Sequence, residues 1–261
     1  MRTLFIGDVF GGDAVRALVD ALPGLRERWR ADLVVVNAEN AAAGLGTSPR
    51  QAEDLLDAGA DVLSGGNHSL HRRELFPLLN SDPRVLRPVN LSVNAPGDGF
   101  LVHEVPAGRI AVINLVGSVF METAQSPFAV VDLLVERAMA KTSQIYVDIH
   151  AEATSEKIAL ARHLDGRVTA VVGTHTHVQT ADARVLAGGT AAMTDLGMTG
   201  PHDSVIGVRA EAAVQRFLTS MRTGFSPADD DLRIQGAFIL SDDAGRAREI
   251  EAINLSVEQP E

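Results

Sequence analysis

The stretch DLVVVNAEN (residues 32–40) sets Leu33 and three valines in a row between Asp32 and Asn37. There is no polar alternation within it. A short β-branched run of this kind reads as a strand buried on both faces, the strand type of parallel sheets covered by helices. Two further features follow from the same stretch. The strand ends in a polar turn, and that turn carries Glu39 and Asn40.

Working outward, the pattern repeats. TLFIG (3–7) is a short apolar run, and residues 13–29 have helical spacing. Residues 49–58 read as a helix with Pro49 suited to its first turn. DVLSGG (61–66) is a strand running into a turn, and 73–79 reads as helical. Segments 84–88, 100–105 and 110–115 read as strands separated by Pro and Gly turns. In the second half, 128–141 and 155–164 have helical character on either side of the strand QIYVDIH (144–150). TAVVGT (169–174) is a strand, 184–187 and 190–195 flank a Gly-Gly turn, and 208–221 is helical. Residues 233–254 read as two strands around DDAG, a hairpin signal. Strand–helix alternation early and hairpins late give one α/β domain over 1–261, a mixed sheet with helices outside.

Composition sets limits. The chain has 261 residues and no cysteine, so any metal must be held by N and O donors. A net charge of −11 argues against broad contact with a nucleic-acid backbone, so no long nucleic acid is expected as a partner. It leaves room for a small anionic substrate, because bound cations make a local positive centre. No run has the length and apolarity of a membrane span. MRTLFIGD turns polar too early for a secretion signal, and a cytoplasmic location is expected. No heptad or repeat bears on assembly; a homo-oligomer is left open.

The chemistry sits where strands end. Asp8 follows TLFIG, Glu39 and Asn40 follow DLVVVN, and Asn67 and His68 follow DVLSGG. QIYVDI ends in His150, and TAVVGT leads into His175 and His177. In open α/β sheets, ligands bind at the carboxyl ends of strands. Each residue has a plainer reading alone: Asp8 opens a turn, Asn40 is a turn residue, and His150 is structural. GDVFGG also resembles a phosphate loop, but it lacks the Lys-Ser/Thr of one. Five strand ends with the same character favour a shared site. Two carboxylates, two carboxamides and four imidazoles are too many donors for one tetrahedral ion. They suit two metals roughly 3.5–4 Å apart bridged by a carboxylate.

At these residues the chain resembles the calcineurin-like metallophosphoesterase superfamily. The matching segments are Asp8-Val9-Phe10, Ala38-Glu39-Asn40, Gly66-Asn67-His68, Asp148-Ile149-His150 and Gly173-Thr174-His175-Thr176-His177. Phe10 stands where that superfamily has a ligand histidine, and Glu39 where it has a bridging aspartate. These departures, with DIHAEATSEKIA (148–159), GTHTHVQTADARVL (173–186) and MTDLGMTGPHDSVIG (193–207), are similar to the bacterial YmdB family of phosphodiesterases. The resemblance runs over nearly the whole chain. It implies a four-layer α-β-β-α sandwich of mixed sheets. It implies that Asp8, Asn40 and His177 bind one metal, that Asn67, His150 and His175 bind the other, and that Glu39 bridges them. It implies His68 as general acid, iron as the native metal, and hydrolysis of 2′,3′-cyclic nucleotides at the 2′ bond by hydroxide held between the ions. Manganese and zinc suit the same donors.

Family members usually follow Gly-Asn-His with Thr-Trp-Asp, whereas here Ser69, Leu70 and His71 follow. Leu70 cannot stack on a base as an aromatic ring does. The stretch 114–125 is long, lacks clear periodicity and is a candidate cover for the site, with Phe120 or Met121 against a base; a subunit contact is the competing reading. His71, His103 and His163 read as bystanders, and His202 lies in a Gly-rich stretch that could line the crevice. The alternative functions are a dinuclear phosphomonoesterase, a nuclease for short oligonucleotides, and a non-catalytic metal-dependent regulator.

Overall fold

A computed structural model describes residues 1–221, 224 and 226–257. The first half contains β1 (Arg2–Ile6), β2 (Asp8–Val9), α1 (Gly11–Trp29), β3 (Leu33–Asn37), α2 (Pro49–Asp57), β4 (Val62–Ser64) and α3 (Phe76–Ser81). The centre contains β5 (Phe100–Val105), β6 (Gly108–Val116), α4 (Pro127–Met139), β7 (Gln144–His150), α5 (Thr154–His163) and β8 (Ala170–Thr174). The chain continues through β9 (Arg184–Val185), β10 (Ala191–Met193), β11 (Met198–Pro201), α6 (Ala210–Thr219), β12 (Leu232–Ser241) and β13 (Ala247–Ser256).

The strands form two mixed sheets. One runs β2-β11-β12-β1-β3-β4 with β13 on the other edge of β12, and the second runs β5-β6-β7-β8-β10-β9. β1, β3 and β4 are parallel neighbours, as are β6, β7, β8 and β10. One edge of β12 is shared, with Gly236–Leu240 pairing β1 and Leu232–Arg233 pairing β11.

Alternation along the buried strands builds the layers, since successive side chains point to opposite faces. Leu33 and Val35 pack between the sheets with Phe5, Val112, Tyr146 and Val172. Val34 and Val36 face the other way, onto Leu18, Leu22 and Leu55 of α1 and α2. In the second sheet Ile113 and Val147 meet Val131 and Val135 of α4 and Leu160 of α5. The result is the helix–sheet–sheet–helix order expected for the fold. α2 starts as its sequence indicates, with Pro49 in the first turn and a reciprocal Ser48–Gln51 capping box. Among the described residues no helix is long and apolar enough to cross a membrane.

Several local readings change. Segment 84–88 is no strand; Val85 makes one isolated bridge to Leu63. Segment 73–79 is a 3-10 turn (Arg73–Leu75) followed by α3. Asn114–Val116 complete β6, so the connection to α4 begins at Gly117. His71 lies in a bend. The β2–β11 pair, Asp8 with Met198 and Val9 with Thr199, was not anticipated.

Candidate metal centre

The carboxyl ends of β1, β3, β4, β7 and β8 meet at one edge of the sandwich, and the eight side chains predicted from sequence meet there. His175 N–H donates to Asp8 Oδ2 at 3.0 Å, linking residues 167 positions apart. His150, the last residue of β7, stands in the middle of one donor group. Its Nε2 lies 3.0 Å from Glu39 Oε1, 3.0 Å from Asn67 Oδ1 and 3.0 Å from His175 Nδ1. Ligand atoms of Glu39, His150 and His175 all fall within 4.8 Å of one another.

Asp8, Asn40 and His177 form the second group. His177 Nε2 is 3.0 Å from Asn40 Nδ2 and 3.9 Å from Asp8 Oδ1. The groups adjoin at Asp8, whose Oδ1 lies 3.7 Å from His150 Nδ1, and Glu39 also reaches His68: its Oε2 accepts the His68 backbone N–H at 2.9 Å and its Oε1 lies 3.3 Å from His68 Nδ1. Asn40 turns its oxygen the other way, to His68 Nδ1 at 2.8 Å. Its carboxamide must turn over before that oxygen faces His177.

The supports behind the donors fix their tautomers. Thr174 Oγ1–H donates to Asp148 Oδ1 at 2.8 Å, so His150 Nδ1, 3.0 Å from Thr174 Oγ1, is the donor there. In neutral His150 the Nε2 lone pair then faces the donor group. His177 Nδ1–H donates to the Ile206 carbonyl at 2.9 Å, which turns its Nε2 inward likewise. Such outer partners are what orient metal-bound imidazoles. His175 and His177 both hold positive φ, 102° and 65°, a region costly for residues other than glycine. A β-carbon at Gly66 would overlap Glu39 and His150, so only glycine lets the turn after β4 come this close.

Among the described residues three buried side-chain polar atoms have no hydrogen-bond partner, and two are Asp8 Oδ1 and Glu39 Oε1. Glu39 Oε1 is close to two imidazoles, 3.0 Å from His150 Nε2 and 3.3 Å from His68 Nδ1, without a hydrogen bond to either. Burial pushes Asp8 up to about 6 against the pull of His150 and His177. Burial also opposes ionisation of Glu39, yet His150 and His68 outweigh it and hold that carboxyl well below its usual range. His150 is likewise disfavoured as a cation by burial, and Glu39, Asp8 and Asp148 overcome this to raise it to about 9. His175 is driven down to about 3, first by burial and then by His150. Two buried anionic oxygens without partners, facing imidazole lone pairs, fit cations held by N and O donors.

Sequence reading missed the outer partners. Glu152 Oε2 reaches His175 Nε2 at 3.1 Å, and its backbone N–H meets Met121 Sδ at 3.2 Å. Asp148 also accepts from Asn37 and Ser64, joining the sheets beneath the site. The period-2 spacing of Asp148 and His150 was the available signal. Of the other histidines, His163 pairs with Asp132, and His202 Nε2 lies 3.1 Å from the Met198 carbonyl. His103 sits in β5, away from the cluster. His71 stands edge-on to His68 with ring centres 5.1 Å apart.

Known proteins resemble this chain along its length. The model of the YmdB-like protein family matches residues 4–253. A 2′,3′-cyclic-nucleotide 2′-phosphodiesterase of Bacillus subtilis (strain 168) is 40% identical over 257 residues, covering 98% of this chain and 97% of its own. The crystal structure of a hypothetical protein from Thermus thermophilus superposes with a TM-score of 0.93 at 41% identity, covering 99% of this chain and 100% of the other. That of a novel phosphatase from Mycoplasma pneumoniae superposes with a TM-score of 0.92 at 33% identity, covering 100% and 95%.

Proposed function

This chain belongs to the YmdB-like family, and on that premise we propose that it is a metal-dependent phosphoric diester hydrolase that opens 2′,3′-cyclic nucleotides. The observation that carries the reading is the pair of adjoining donor groups, with Asp8 Oδ1 and Glu39 Oε1 buried and unpartnered. The substrate class is that of the Bacillus subtilis relative.

In this reading Asn67, His150 and His175 would hold one ion, Asp8, Asn40 and His177 the other, and Glu39 would serve both. Iron is the proposed ion; manganese and zinc are accepted by the same donors. Bound ions supply a water of lowered pKa and offset the charge that develops on the phosphate. Asp148 and Thr174 hold the His150 ring in place, and Glu152 and the Ile206 carbonyl do the same for His175 and His177. His68 delivers a proton to the departing ribose oxygen. Its Nε2 makes no hydrogen bond among the described residues, whereas Nδ1 meets Asn40 Oδ1.

The loop after β6 supplies the base contact that Leu70 does not. Phe120 is 91% exposed at φ 62°, and its neighbour Met121 touches Glu152, the partner of His175. The direct test compares 2′,3′-cyclic nucleotides, linear dinucleotides and phosphate monoesters on one preparation loaded with Mn²⁺. The cyclic diester should be turned over fastest, with a 3′-phosphate as product. Faster turnover of the monoester would make the protein a phosphatase instead.

A further inference from the structure

We propose that Asp195, backed by Lys157, is a positioning residue: it holds the His175–Thr176–His177 turn in the shape that aims both imidazoles at the metal centre. The proposal rests on the metal reading above. It gives a role to SEKIA and MTDLG, two motifs whose charged residues touch no donor atom of the site.

His175 and His177 both occupy the left-handed half of backbone space. Non-glycine residues stay there only when their surroundings impose it. Thr176, between them, shows what imposes it. Its backbone N–H and its hydroxyl both donate to Asp195 Oδ2, at 3.1 and 2.8 Å. Lys157 Nζ, from α5, donates to the same oxygen at 2.7 Å. Lys157 and Asp195 are 3% and 1% exposed, so this carboxylate has no solvent to relax into. The chain beyond the turn is strapped to the same residue: Asp195 N–H donates to Thr180 Oγ1 and Thr180 N–H donates to the Asp195 carbonyl.

Asp195 also reaches the other side of the site. Its Oδ1 accepts the Gly197 N–H at 2.9 Å, and the Gly197 carbonyl accepts the Asp8 N–H at 3.1 Å. One carboxylate therefore sets the HxH turn and the Asp8 backbone in a common frame. A buried ion pair is a poor stabilising device, since apolar replacements of similar volume often do as well. Keeping donor atoms in register is a task that an apolar pair cannot perform.

The test is metal affinity and ligand-field geometry, measured apart from turnover. Chelator-treated protein is dialysed to equilibrium against Mn²⁺, and the visible spectrum is recorded after loading with Co²⁺. Asp195→Asn and Lys157→Met should each weaken Mn²⁺ binding by about 10- to 100-fold, the usual range for outer-shell changes, and should alter the Co²⁺ spectrum. Thr176→Val removes only the hydroxyl donor and should show a smaller part of the same loss. It decides the matter if either buried-pair variant fails to fold. Leu18→Ala, in the core between α1 and its sheet, controls for general destabilisation; it should lower the melting temperature and leave affinity and spectrum unchanged. Unchanged affinity and spectrum in Asp195→Asn and Thr176→Val would overturn the proposal, as would an equal loss in Leu18→Ala. Wild-type protein that held no Mn²⁺ would instead sink the metal reading and this proposal with it.

Discussion

His150 Nε2 and His175 Nδ1 face one another at 3.0 Å across the mouth of the sandwich. Glu39 Oε1 and Asn67 Oδ1 stand equally close to the same His150 nitrogen. In neutral His150 the proton is on Nδ1, so the lone pairs of these atoms converge. A proton or a cation must lie among them. The raised His150 pKa, about 9, describes the first case, and metal binding replaces that proton.

The pH dependence of the metal-free protein follows. His150 is raised from 6.5 to about 9, so its contribution to stability is full below 6.5 and is lost as pH climbs towards 9. Asp8 and His175 titrate below this window and do not mask it. The melting temperature of chelator-treated protein should therefore fall between pH 6.5 and 9. Excess Mn²⁺ should reduce or reverse the decline, because deprotonated ligands bind metal better. A flat profile without metal would contradict the placement of the proton.

His68→Ala should lower turnover of a 2′,3′-cyclic nucleotide by about 10²- to 10⁴-fold, the range of general acid help. Metal content, measured by elemental analysis, should stay at the wild-type level. Loss of metal would make His68 a ligand.

Glu39→Ala should deplete both ions together, since Glu39 is the one ligand proposed to serve both. Two ions per chain retained after dialysis would refute the shared role.

Phe120→Ala should raise KM for 2′,3′-cyclic nucleotides by about 5- to 150-fold with kcat nearly unchanged, a truncated stacking contact being worth about 1–3 kcal/mol per base. Hydrolysis of bis(p-nitrophenyl) phosphate, which carries no base, should not change. Equal effects on both substrates would place Phe120 elsewhere than on the base.

Much of this site was legible because its donors sit at the ends of long apolar runs. Strands such as Leu33–Asn37 and Gln144–His150 announce themselves by composition, and topology then brings their ends together. The two-residue strand β2 and its partner β11 left no periodic signal, being too short for one. Residues 84–88 carry apolar residues that pack under Leu63 without pairing as a strand, and burial alone does not tell these apart. The outer partners were hidden for another reason. The Ile206 carbonyl that orients His177 is backbone, which no residue type betrays. Asp148 orients His150 through Thr174 of the neighbouring strand, so its role appears only once the β7–β8 register is known. The turn of the Asn40 carboxamide is likewise a matter of geometry alone.

The most direct measurement is anomalous scattering from a crystal of protein purified without added metal. Two peaks are predicted, one bonded to Asn67, His150 and His175 and one to Asp8, Asn40 and His177, with Glu39 bonded to both. A cluster without a peak, or a single ion that leaves Asp8 Oδ1 unbonded, would contradict the dinuclear account.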